Sequence, residues 1–551
     1  MICKHPLKWL HLSILPLLCI LATSFANAQN FSVLYDFDWP GKNDPTWFTS
    51  TAMLAQGRDG NIYTTSVLGG PVDLGTVFSM TPSGVLSVPL AFSYQAGGSD
   101  PESGLILGRD GNFYGAVGYV YNAVACNGLG SIFKITPKGV LTYLYTFPTT
   151  GTVGAPYQVL QGQDGNFYGG TPTSYDVCGV ITNATIFKLT PSGTLTTLLE
   201  TNVPVGVYVL AFQATDGLFY GFDATNPGSI FRISPSGVFK ILYQFDGTHG
   251  GQPVGLTLGT DGNFYGTTKQ GGSDNDGVIF KLTPTGQFSV LHTFGSAMDA
   301  WVPQSGVVQA NDGYLYGVTP TGGASNNGAI YRISPDGTGY SVLYSFDGVS
   351  AASPGAALLQ HTNGIFYGLS FGGGLTCWYN QKCGTFYSFD MGLNPSVSLV
   401  VNFGKVSSPV QILGQGFKTA SKVSFGAATA NFKVISDSYM TATVPSGATT
   451  GAVTITTIGA TLTSNKTFRV TPQISSFIPA SGPAGTPVTI TGLSLTQASQ
   501  VTFGGVAATS FTVSSDNQVT ATVPAKAKTG VIRVVTAGGG AGSASQFTVT
   551  H

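Results

Sequence analysis

The chain has 551 residues and a formal net charge of −1 at pH 7; only 9% of its residues are charged, and 76 are glycine. So few charges with so many glycines argue against a helical protein and are typical of a turn-rich all-β fold. A chain of this length is expected to form several domains, each with a core of its own.

Residues 1–28 have the features of a secretory signal peptide. Lys4 and Lys8 precede an apolar run from about Trp9 to Ala22, and Ala26-Asn27-Ala28 has the pattern of a cleavage site. The apolar run is too short for a membrane span, and no later segment has the roughly 18 apolar residues that a membrane helix needs. We therefore expect an exported protein, secreted or at the cell surface or in the periplasm, without a transmembrane segment.

A phrase of the form Asp-Gly-Asn-Phe-Tyr-Gly is repeated along residues 29–392. The seven copies begin at Asp59, Asp110, Asp164, Asp216, Asp261, Asp312 and Asn363, so the steps between them are 51, 54, 52, 45, 51 and 51 residues. A period of this size with several short apolar runs in each copy is typical of a β-propeller with one blade per repeat. The sequence therefore predicts a seven-bladed propeller over residues 29–392.

The second copy shows how one repeat predicts one blade. Its predicted strands are Leu105–Leu107, Asn112–Gly115, Ser131–Ile135 and Leu141–Phe147, in which apolar residues cluster or alternate as they do in antiparallel strands. Asp110-Gly111 between the first two strands is a strong hairpin signal and predicts a type I′ turn, with positive φ at both central residues.

The two ends of the array predict a closed ring. The seventh copy has a third strand at Thr385–Phe389 and no fourth strand after it, whereas Val33–Phe37, ahead of the first copy, has the form of the missing strand. We predict that Phe31 to Phe37 pairs with the third strand of blade seven near Phe386, which leaves no unpaired closing edge.

A second repeat follows the propeller. Thr441–Pro445 returns as Thr520–Pro524, and Val423–Gly426 returns as Val501–Gly504, so the spacing is 79 residues at the first pair. Runs rich in Val and Thr, with alternating apolar residues, predict two small immunoglobulin-like β-sandwiches at residues 393–471 and 472–551.

The second sandwich, through Pro472–Pro479 and Gly482–Gly492, resembles the IPT/TIG family of immunoglobulin-like domains along nearly its whole length. The first resembles the family from Pro409 to Val470, but Val397–Ser408 lacks the Pro-x-x-Gly-Pro phrase. The resemblance implies modules that serve as spacers or binding units, without catalysis of their own.

The propeller region resembles the GloVer tandem repeat of exported bacterial proteins. The resemblance extends from about Phe31 to Asp390 and is carried by phrases such as Asp261–Thr268 and Gly277–Leu282. It implies a secreted or surface role and supplies no catalytic residue.

Four cysteines follow residue 28, and export permits disulfides. Cys377 and Cys383, in a short loop of blade seven, are predicted to pair, which is worth about 2 kcal/mol in the loop-entropy model. Cys126 and Cys178 lie in the same second-to-third-strand loop of consecutive blades and are predicted to join blades two and three. Two separate buried thiols are the alternative.

Few residues point to catalysis or to a cofactor. Each recurrent aspartate precedes glycine in a tight turn, where aspartate is favoured for backbone reasons, so we interpret these residues as structural. The histidines are scattered without zinc-binding spacing, and we predict no metal site and no cofactor. The alternative is a propeller lyase or hydrolase that acts on an extracellular polymer, with His249 or Glu102 at its mouth.

Tryptophan is confined to one side of the predicted ring. In a four-stranded blade, the second-to-third-strand loops and the inter-blade connections share one face, and the tight turns share the other. The four tryptophans after residue 28 fall on the loop-rich face near blades six, seven and one, where aromatic platforms suit sugar or peptide ligands. The predicted ligand site consists of Trp39, Trp47, Trp301, Trp378, Tyr379, Asp44 and Asp299, with Asn43 and Asn380 nearby. Packing of the loops onto the rim is the alternative.

Charge is divided between the two parts of the chain. Residues 29–392 carry 12 Lys/Arg against 22 Asp/Glu, and residues 393–551 carry 9 against 2. The basic sandwiches are expected to adhere to an anionic cell-envelope polymer or to dock on the acidic propeller. Because the basic residues are spread out and the protein is exported, nucleic acid is not an expected partner. We predict a non-enzymatic binding or adhesion protein for an extracellular carbohydrate or protein ligand, with a purely structural surface protein as a further alternative.

Overall fold

The computed structural model describes residues 29–39, 42–48, 53–93, 99–101, 103–118, 130–147, 156, 158–172, 183–201, 206–295, 299–377 and 382–550. The predicted signal peptide and the predicted pair Cys126–Cys178 lie outside these residues. Apart from a short 3-10 helix at Phe417–Thr419, the elements of the described residues are β-strands.

The repeats fold into seven antiparallel sheets, one for each predicted blade. Blades one to four consist of Ala55–Gln56, Ile62–Ser66, Thr76–Met80 and Leu86–Ala91; Ile106–Leu107, Phe113–Val117, Ser131–Ile135 and Leu141–Thr146; Gln158–Gln161, Phe167–Thr171, Ala184–Leu189 and Leu195–Thr201; and Tyr208–Gln213, Phe219–Asp223, Ser229–Ile233 and Phe239–Gln244. Blades five and six consist of Gly251–Leu258, Phe264–Gln270, Val278–Leu282 and Phe288–Thr293; and Val308–Gln309, Leu315–Thr319, Ala329–Ile333 and Ser341–Ser345. The prediction of a seven-bladed, all-β propeller is confirmed.

Blade seven contains both ends of the array, as predicted. Its strands are Ala352–Pro354 with Leu359–Gln360, Phe366–Gly372, Thr385–Asp390 and, as the outer strand, Asn30–Asp36. In this last strand, the closing strand, Phe31 lies opposite Phe389 and Tyr35 lies opposite Phe386. The predicted closure of the ring by its N-terminal segment is confirmed.

A glutamine also joins blades one and seven near the axis of the ring. The Gln56 side-chain nitrogen donates to Thr362 Oγ1 (2.8 Å), and its oxygen accepts a bond from the Thr362 backbone N–H (3.2 Å). The ring is therefore closed at its outer edge by a strand and at its inner edge by a side-chain amide.

The turn between the first two strands of a blade differs from the predicted type I′ turn. In blade two, the N–H of Gly111 donates to Gly108 O (2.9 Å), and Gly111 has φ +85°, whereas Asp110 has no positive φ. The chain therefore makes a type I turn followed by a glycine in the left-handed region. The prediction was wrong because the carboxylate of Asp110 accepts bonds from Asn112 N–H (3.1 Å) and Tyr114 Oη (2.8 Å), which fixes a longer loop.

The repeated aspartates are structural, as interpreted. In six blades, the tyrosine four residues after the aspartate donates its hydroxyl to the carboxylate at 2.7 to 2.8 Å; the pairs are Tyr63–Asp59, Tyr114–Asp110, Tyr168–Asp164, Tyr220–Asp216, Tyr265–Asp261 and Tyr316–Asp312. Adjacent side chains of a strand point to opposite faces. Consequently, at five of the seven junctions between blades, the tyrosine of one blade packs on the phenylalanine of the next, as Tyr63 does on Phe113 at 4.1 Å between ring centres.

Each of the two C-terminal repeats forms a β-sandwich. The first has sheets of Ser398–Leu399, Pro409–Leu413, Tyr439–Thr443 and Phe432–Val434, and of Ala428–Ala430, Lys422–Phe425, Val453–Thr457 and Ala460–Thr463, with a parallel pair Phe403–Gly404 and Arg469–Val470. The second has sheets of Gln473–Ile478, Pro487–Leu493, Gln518–Thr522 and Phe511–Ser515, and of Ser481–Gly482, Gly539–Val549, Gly530–Thr536, Ala498–Phe503 and Val506–Ala507.

The first sandwich docks on the turn face of the propeller, which is the face that carries the Asp-Gly turns. The residue just before the repeated aspartate or asparagine contacts the sandwich, or the segment that leads into it, in five of the seven blades. The bonds are Arg58 Nη2 to Gln411 Oε1 (2.7 Å), Gln411 Nε2 to Arg109 O (2.6 Å), Arg469 Nη1 to Thr215 O (3.2 Å), Asn311 Nδ2 to Asn394 O (2.6 Å) and Gln415 Nε2 to Thr362 Oγ1 (3.2 Å).

Stacked arginines stabilise this interface. The guanidinium of Arg58 lies 4.7 Å from the ring centre of Tyr439, and those of Arg109 and Arg469 each lie 5.5 Å from the ring centre of Phe403. None of the ion pairs among the described residues joins the propeller to a sandwich. The first sandwich therefore docks on the propeller, which is one of the two expectations for the basic sandwiches. The docking uses hydrogen bonds and the stacking of two propeller arginines, Arg58 and Arg109, on aromatic rings of the sandwich, in place of ion pairs.

Candidate ligand-binding site

A cavity of about 610 Å³ opens on the loop face, the side of the ring opposite the turn face, between blades seven and one. Three loops form its walls: the connection after the closing strand and the second-to-third-strand loops of blades one and seven. The lining residues are Trp39, Thr46, Trp47, Phe48, Leu68, Asp73, Phe371, Cys377, Lys382 and Cys383. We call this cavity the seam pocket. Because both sides of the seam contribute walls, the pocket requires the closed ring.

Two predicted tryptophans lie together in the seam pocket. Trp39 is half-buried, and its indole N–H donates to Gly70 O (3.4 Å). Trp47 is 63% exposed and has φ +55°, and its carbonyl accepts a bond from Val67 N–H (3.0 Å). Behind them, Phe48 is buried against Phe37, with 4.9 Å between ring centres. One indole therefore belongs to the wall of the pocket, and the other reaches solvent.

The disulfide Cys377–Cys383 forms part of the wall from blade seven. The two Cα atoms lie 5.4 Å apart, so this predicted pairing is confirmed. Cys383 Sγ lies 3.7 Å from Trp39 O, which brings the loop of blade seven against the connection that carries the tryptophans. The disulfide thus cross-links the blade-seven wall of the pocket, and that wall lies against the connection that carries Trp39.

One acidic and one basic side chain line the seam pocket. Asp73 has φ +56°, and one of its carboxylate oxygens accepts a bond from Gly69 N–H (2.7 Å). Lys382 Nζ donates to Gly374 O (2.9 Å). Both groups are tied to their own loops, and they supply the charged contacts available to a ligand among the described lining residues.

The predicted site residue Asp44 lies behind the pocket and does not line it. It is 5% exposed, and its Oδ2 accepts bonds from the Tyr35 hydroxyl (2.8 Å) and from Asp38 N–H (3.0 Å). Burial, and then the bond to Asp44, raise the pKa of Tyr35 above its usual value. Asp44 therefore ties the tryptophan-bearing connection to the closing strand.

Trp301 and Asp299 occupy the corresponding place before blade six and do not line the seam pocket. Trp301 pairs with Thr321 as Thr46 pairs with Leu68. Asp299 is 6% exposed and accepts bonds from the Tyr340 hydroxyl and from His292 Nε2 (3.0 Å). Burial alone would raise the pKa of Asp299, but these hydrogen bonds outweigh it and hold the pKa below its usual value.

The other predicted residues are placed as follows. Trp378, Tyr379 and Asn380 lie outside the described residues, as does Glu102, and Asn43 is exposed beside Asp44. His249 is exposed, and its Nδ1 lies 2.7 Å from Asp246 Oδ2. Hydrogen bonds from His249 lower the pKa of Asp246 to about 2.

The sequence interpretation missed six lining residues, which are Thr46, Phe48, Leu68, Asp73, Phe371 and Lys382. A signal for Asp73 was present in the repeats, because Asn275 and Asn326 stand at the same loop position. Each accepts a bond from the backbone N–H four residues earlier, at 2.9 and 3.0 Å.

Comparisons with known proteins agree with this architecture. The family described as the Gloeobacter/Verrucomicrobia repeat matches residues 23–226 and 209–431, and the IPT/TIG domain matches residues 395–470 and 472–550. No curated protein matches the chain.

Three solved structures are examples of the structural likenesses. A gluconolactonase from Xanthomonas campestris is 12% identical, with a TM-score of 0.35, over 66% of this chain and 90% of that one. A surface glycan-binding protein from Prevotella bryantii is 21% identical, with a TM-score of 0.21, over 27% and 38%. A fungal alcohol oxidase, in complex with copper, is 12% identical, with a TM-score of 0.41, over 91% and 98%. At such low similarity these likenesses say nothing about ligand or reaction.

The described residues hold neither a candidate metal cluster nor a membrane-spanning helix. Within them, no three or more His, Cys, Asp or Glu side chains are grouped so as to hold a metal ion. Within the same residues, no helix has the length and hydropathy needed to cross a bilayer.

Proposed function

The chain belongs to the Gloeobacter/Verrucomicrobia repeat family, and we propose that it is an exported binding protein whose propeller takes up an extracellular carbohydrate in the seam pocket. The observation that carries this proposal is the aromatic wall formed by Trp39, Trp47 and Phe371 around a cavity of about 610 Å³. A volume of this size lies within the range of small-ligand sites and accommodates a short oligosaccharide.

The lining supplies both kinds of contact that a sugar needs. The exposed face of Trp47 can stack on the C–H side of a sugar ring, and Trp39 offers a second aromatic surface in the same wall. Asp73, Lys382 and Thr46 are within the lining and can exchange hydrogen bonds with sugar hydroxyls. Aromatic stacking with few charges favours a neutral glycan over a strongly charged ligand.

The carboxylates of the pocket favour binding over hydrolysis. A glycosidase normally needs two carboxyl groups that flank the scissile bond. Among the described lining residues, Asp73 is the one acidic side chain, and one of its oxygens already accepts a backbone bond. The alternative, a propeller lyase or hydrolase, predicts turnover of the bound oligosaccharide, which product analysis of the binding mixture detects.

The position of the first sandwich supports a site on the loop face. The first sandwich and the segment that leads into it contact five of the seven blades on the turn face, so the loop face is the side of the ring that they leave free. In this proposal the first sandwich is a domain docked on the turn face of the propeller, and it does not act as a freely moving spacer.

The experiment is a screen of the full chain against neutral oligosaccharides and unstructured peptides, followed by calorimetric titration of the best glycan. Trp47→Ala should weaken binding by about 30-fold or more, since an aromatic anchor is typically worth about 2 kcal/mol. The variant should fold, because Trp47 is 63% exposed. Trp301→Ala, which removes a tryptophan outside the pocket, is the matched control and should bind normally. Equal losses in both variants, or binding of peptides alone, would contradict the proposal.

A further inference from the structure

A second cavity lies where the propeller and both sandwiches meet, on the turn face and so on the far side of the ring from the seam pocket. Its volume is about 900 Å³. We call it the junction cleft. All three domains contribute to its lining, among them Arg109 and Gln163 from the propeller, Phe403 and Lys405 from the first sandwich, and Gln473 and Ala541 from the second.

The cleft carries an excess of positive charge. Arg109 and Lys405 line it, and none of the ion pairs among the described residues involves either of them. Asp164 also lines the cleft, but its carboxylate lies 3.2 Å from Lys188 Nζ and accepts the hydroxyl of Tyr168. The one acidic group is therefore engaged within its own blade. The guanidinium of Arg109 donates to Gly162 O (2.7 Å) and Gln163 O (3.3 Å), but neither it nor the ammonium of Lys405 has an ion pair among the described residues.

A buried hydrogen-bond donor at the cleft also lacks an acceptor. The side-chain nitrogen of Gln473, a lining residue, is buried and has no partner among the described residues. Buried N–H groups of folded proteins are nearly always paired, so this donor points to an acceptor that a ligand in the cleft would supply.

We propose that the junction cleft binds a segment of an acidic polysaccharide, with a uronic-acid carboxylate held by Arg109 and Lys405. The neighbouring polar groups of the lining, Ser408, Thr471 and Gln473, suit sugar hydroxyls. Five amide or hydroxyl side chains of the lining, Gln163, Ser408, Gln411, Thr471 and Gln473, can bond the many hydroxyl groups that a polysaccharide has and an acidic peptide lacks, which favours the polysaccharide. The proposal is independent of the seam pocket, because it concerns a different face of the molecule and a charged ligand.

The experiment titrates the full chain with oligogalacturonate, with a neutral maltooligosaccharide and poly-glutamate as reference probes. Lys405→Ala should weaken oligogalacturonate binding by about fivefold, the size expected for one partly exposed charge contact. Lys405 is exposed, so the variant should fold normally. Lys433→Ala removes an equal charge from an exposed strand position of the same sandwich and should leave the affinity unchanged.

A second variant tests whether the ligand binds in the junction cleft, because it fills the cleft with a bulky side chain. Ala541→Trp should fill the cleft and abolish binding, whereas Trp47→Ala in the seam pocket should have no effect. Binding should also weaken as salt is raised, because the contacts are ionic. The proposal is overturned if oligogalacturonate does not bind saturably, if Lys433→Ala weakens it as much as Lys405→Ala, or if poly-glutamate binds as tightly.

Discussion

Phe37 directly follows the closing strand, and removal of its side chain should open the propeller ring locally. Its ring is fully buried, 4.9 Å from the ring centre of Phe48 and 5.8 Å from that of Phe78, and its N–H donates to Gly384 O (3.3 Å). Phe37→Ala should cost about 3 to 5 kcal/mol through lost burial and the cavity left behind. Because no hairpin loop connects the closing strand to blade seven, the strand can detach while the rest of the propeller stays folded. The lost free energy should therefore raise the equilibrium constant for this local opening by about 100-fold or more.

Hydrogen exchange measured by mass spectrometry tests this prediction. In Phe37→Ala, amides of the closing strand and of its partner Thr385–Asp390 should exchange about 100-fold faster than in the parent chain. Phe245→Ala is the matched control, because Phe245 has the same place in blade four, is 2% exposed and donates to Gly228 O (3.1 Å). Faster exchange at the closing strand in both variants, or in neither, would refute the argument that this strand is the weak point of the ring.

Two further predictions concern the turn face. Asp261→Ala should lower stability by about 1 to 2 kcal/mol, whereas Asp261→Asn should be tolerated, because Asn363 already bonds Tyr367 (2.9 Å) in blade seven. Burial raises the pKa of Asp261, but hydrogen bonds outweigh burial and hold the pKa below its usual value. The stabilisation by the carboxylate is therefore present above about pH 4 and is lost as the pH falls through the lower pKa of the folded state. Thermal unfolding at pH 7 and pH 3 should show that Asp261→Asn loses less stability in acid than the parent chain, and an equal loss would argue against this role of Asp261. Arg58→Lys keeps the positive charge but loses the stack on Tyr439 and the bond to Gln411. This variant should hold the first sandwich less tightly and should be cleaved faster by protease between residues 390 and 398. An unchanged rate of cleavage would count against the docked arrangement.

Much of the propeller was predictable because its repeat encodes it redundantly. Most copies specify a turn through aspartate and glycine, a hydroxyl bond through tyrosine, and inter-blade packing through phenylalanine and tyrosine. The missing fourth strand after Phe389 and its displaced copy at Val33–Phe37 then implied closure. The turn type was mispredicted because the carboxylate of Asp110 bonds Tyr114, a side-chain contact that a dipeptide rule for Asp-Gly does not include.

The site was predicted less completely, because its parts come from loops that the repeat does not specify. Placement of Trp39 and Trp47 on the loop face followed from topology, but topology does not tell a lining residue from one behind it. Asp44 and Asp299 were predicted as ligand contacts, and the structure places both in buried hydrogen-bond networks that hold loops. Burial and side-chain direction in irregular segments depend on tertiary packing, which sequence position alone does not give.

The repeat also contains a sign of the interface between the propeller and the first sandwich. The residue before the aspartate is arginine in blades one and two only, at Arg58 and Arg109. Those two departures from the repeat are the residues that stack on Tyr439 and Phe403. Sequence showed that the positions were unusual, but it did not show which surface they meet, because the contact joins residues about 300 or more positions apart in the chain.

The central claim is that the seam pocket holds a carbohydrate, and a crystal structure of the full chain with the best oligosaccharide of the screen tests it most directly. The account predicts a sugar ring stacked on Trp47, with Trp39 and Asp73 in contact with the same ligand. A sugar bound on the turn face, on a sandwich or in the central channel, with the seam pocket empty, would contradict it.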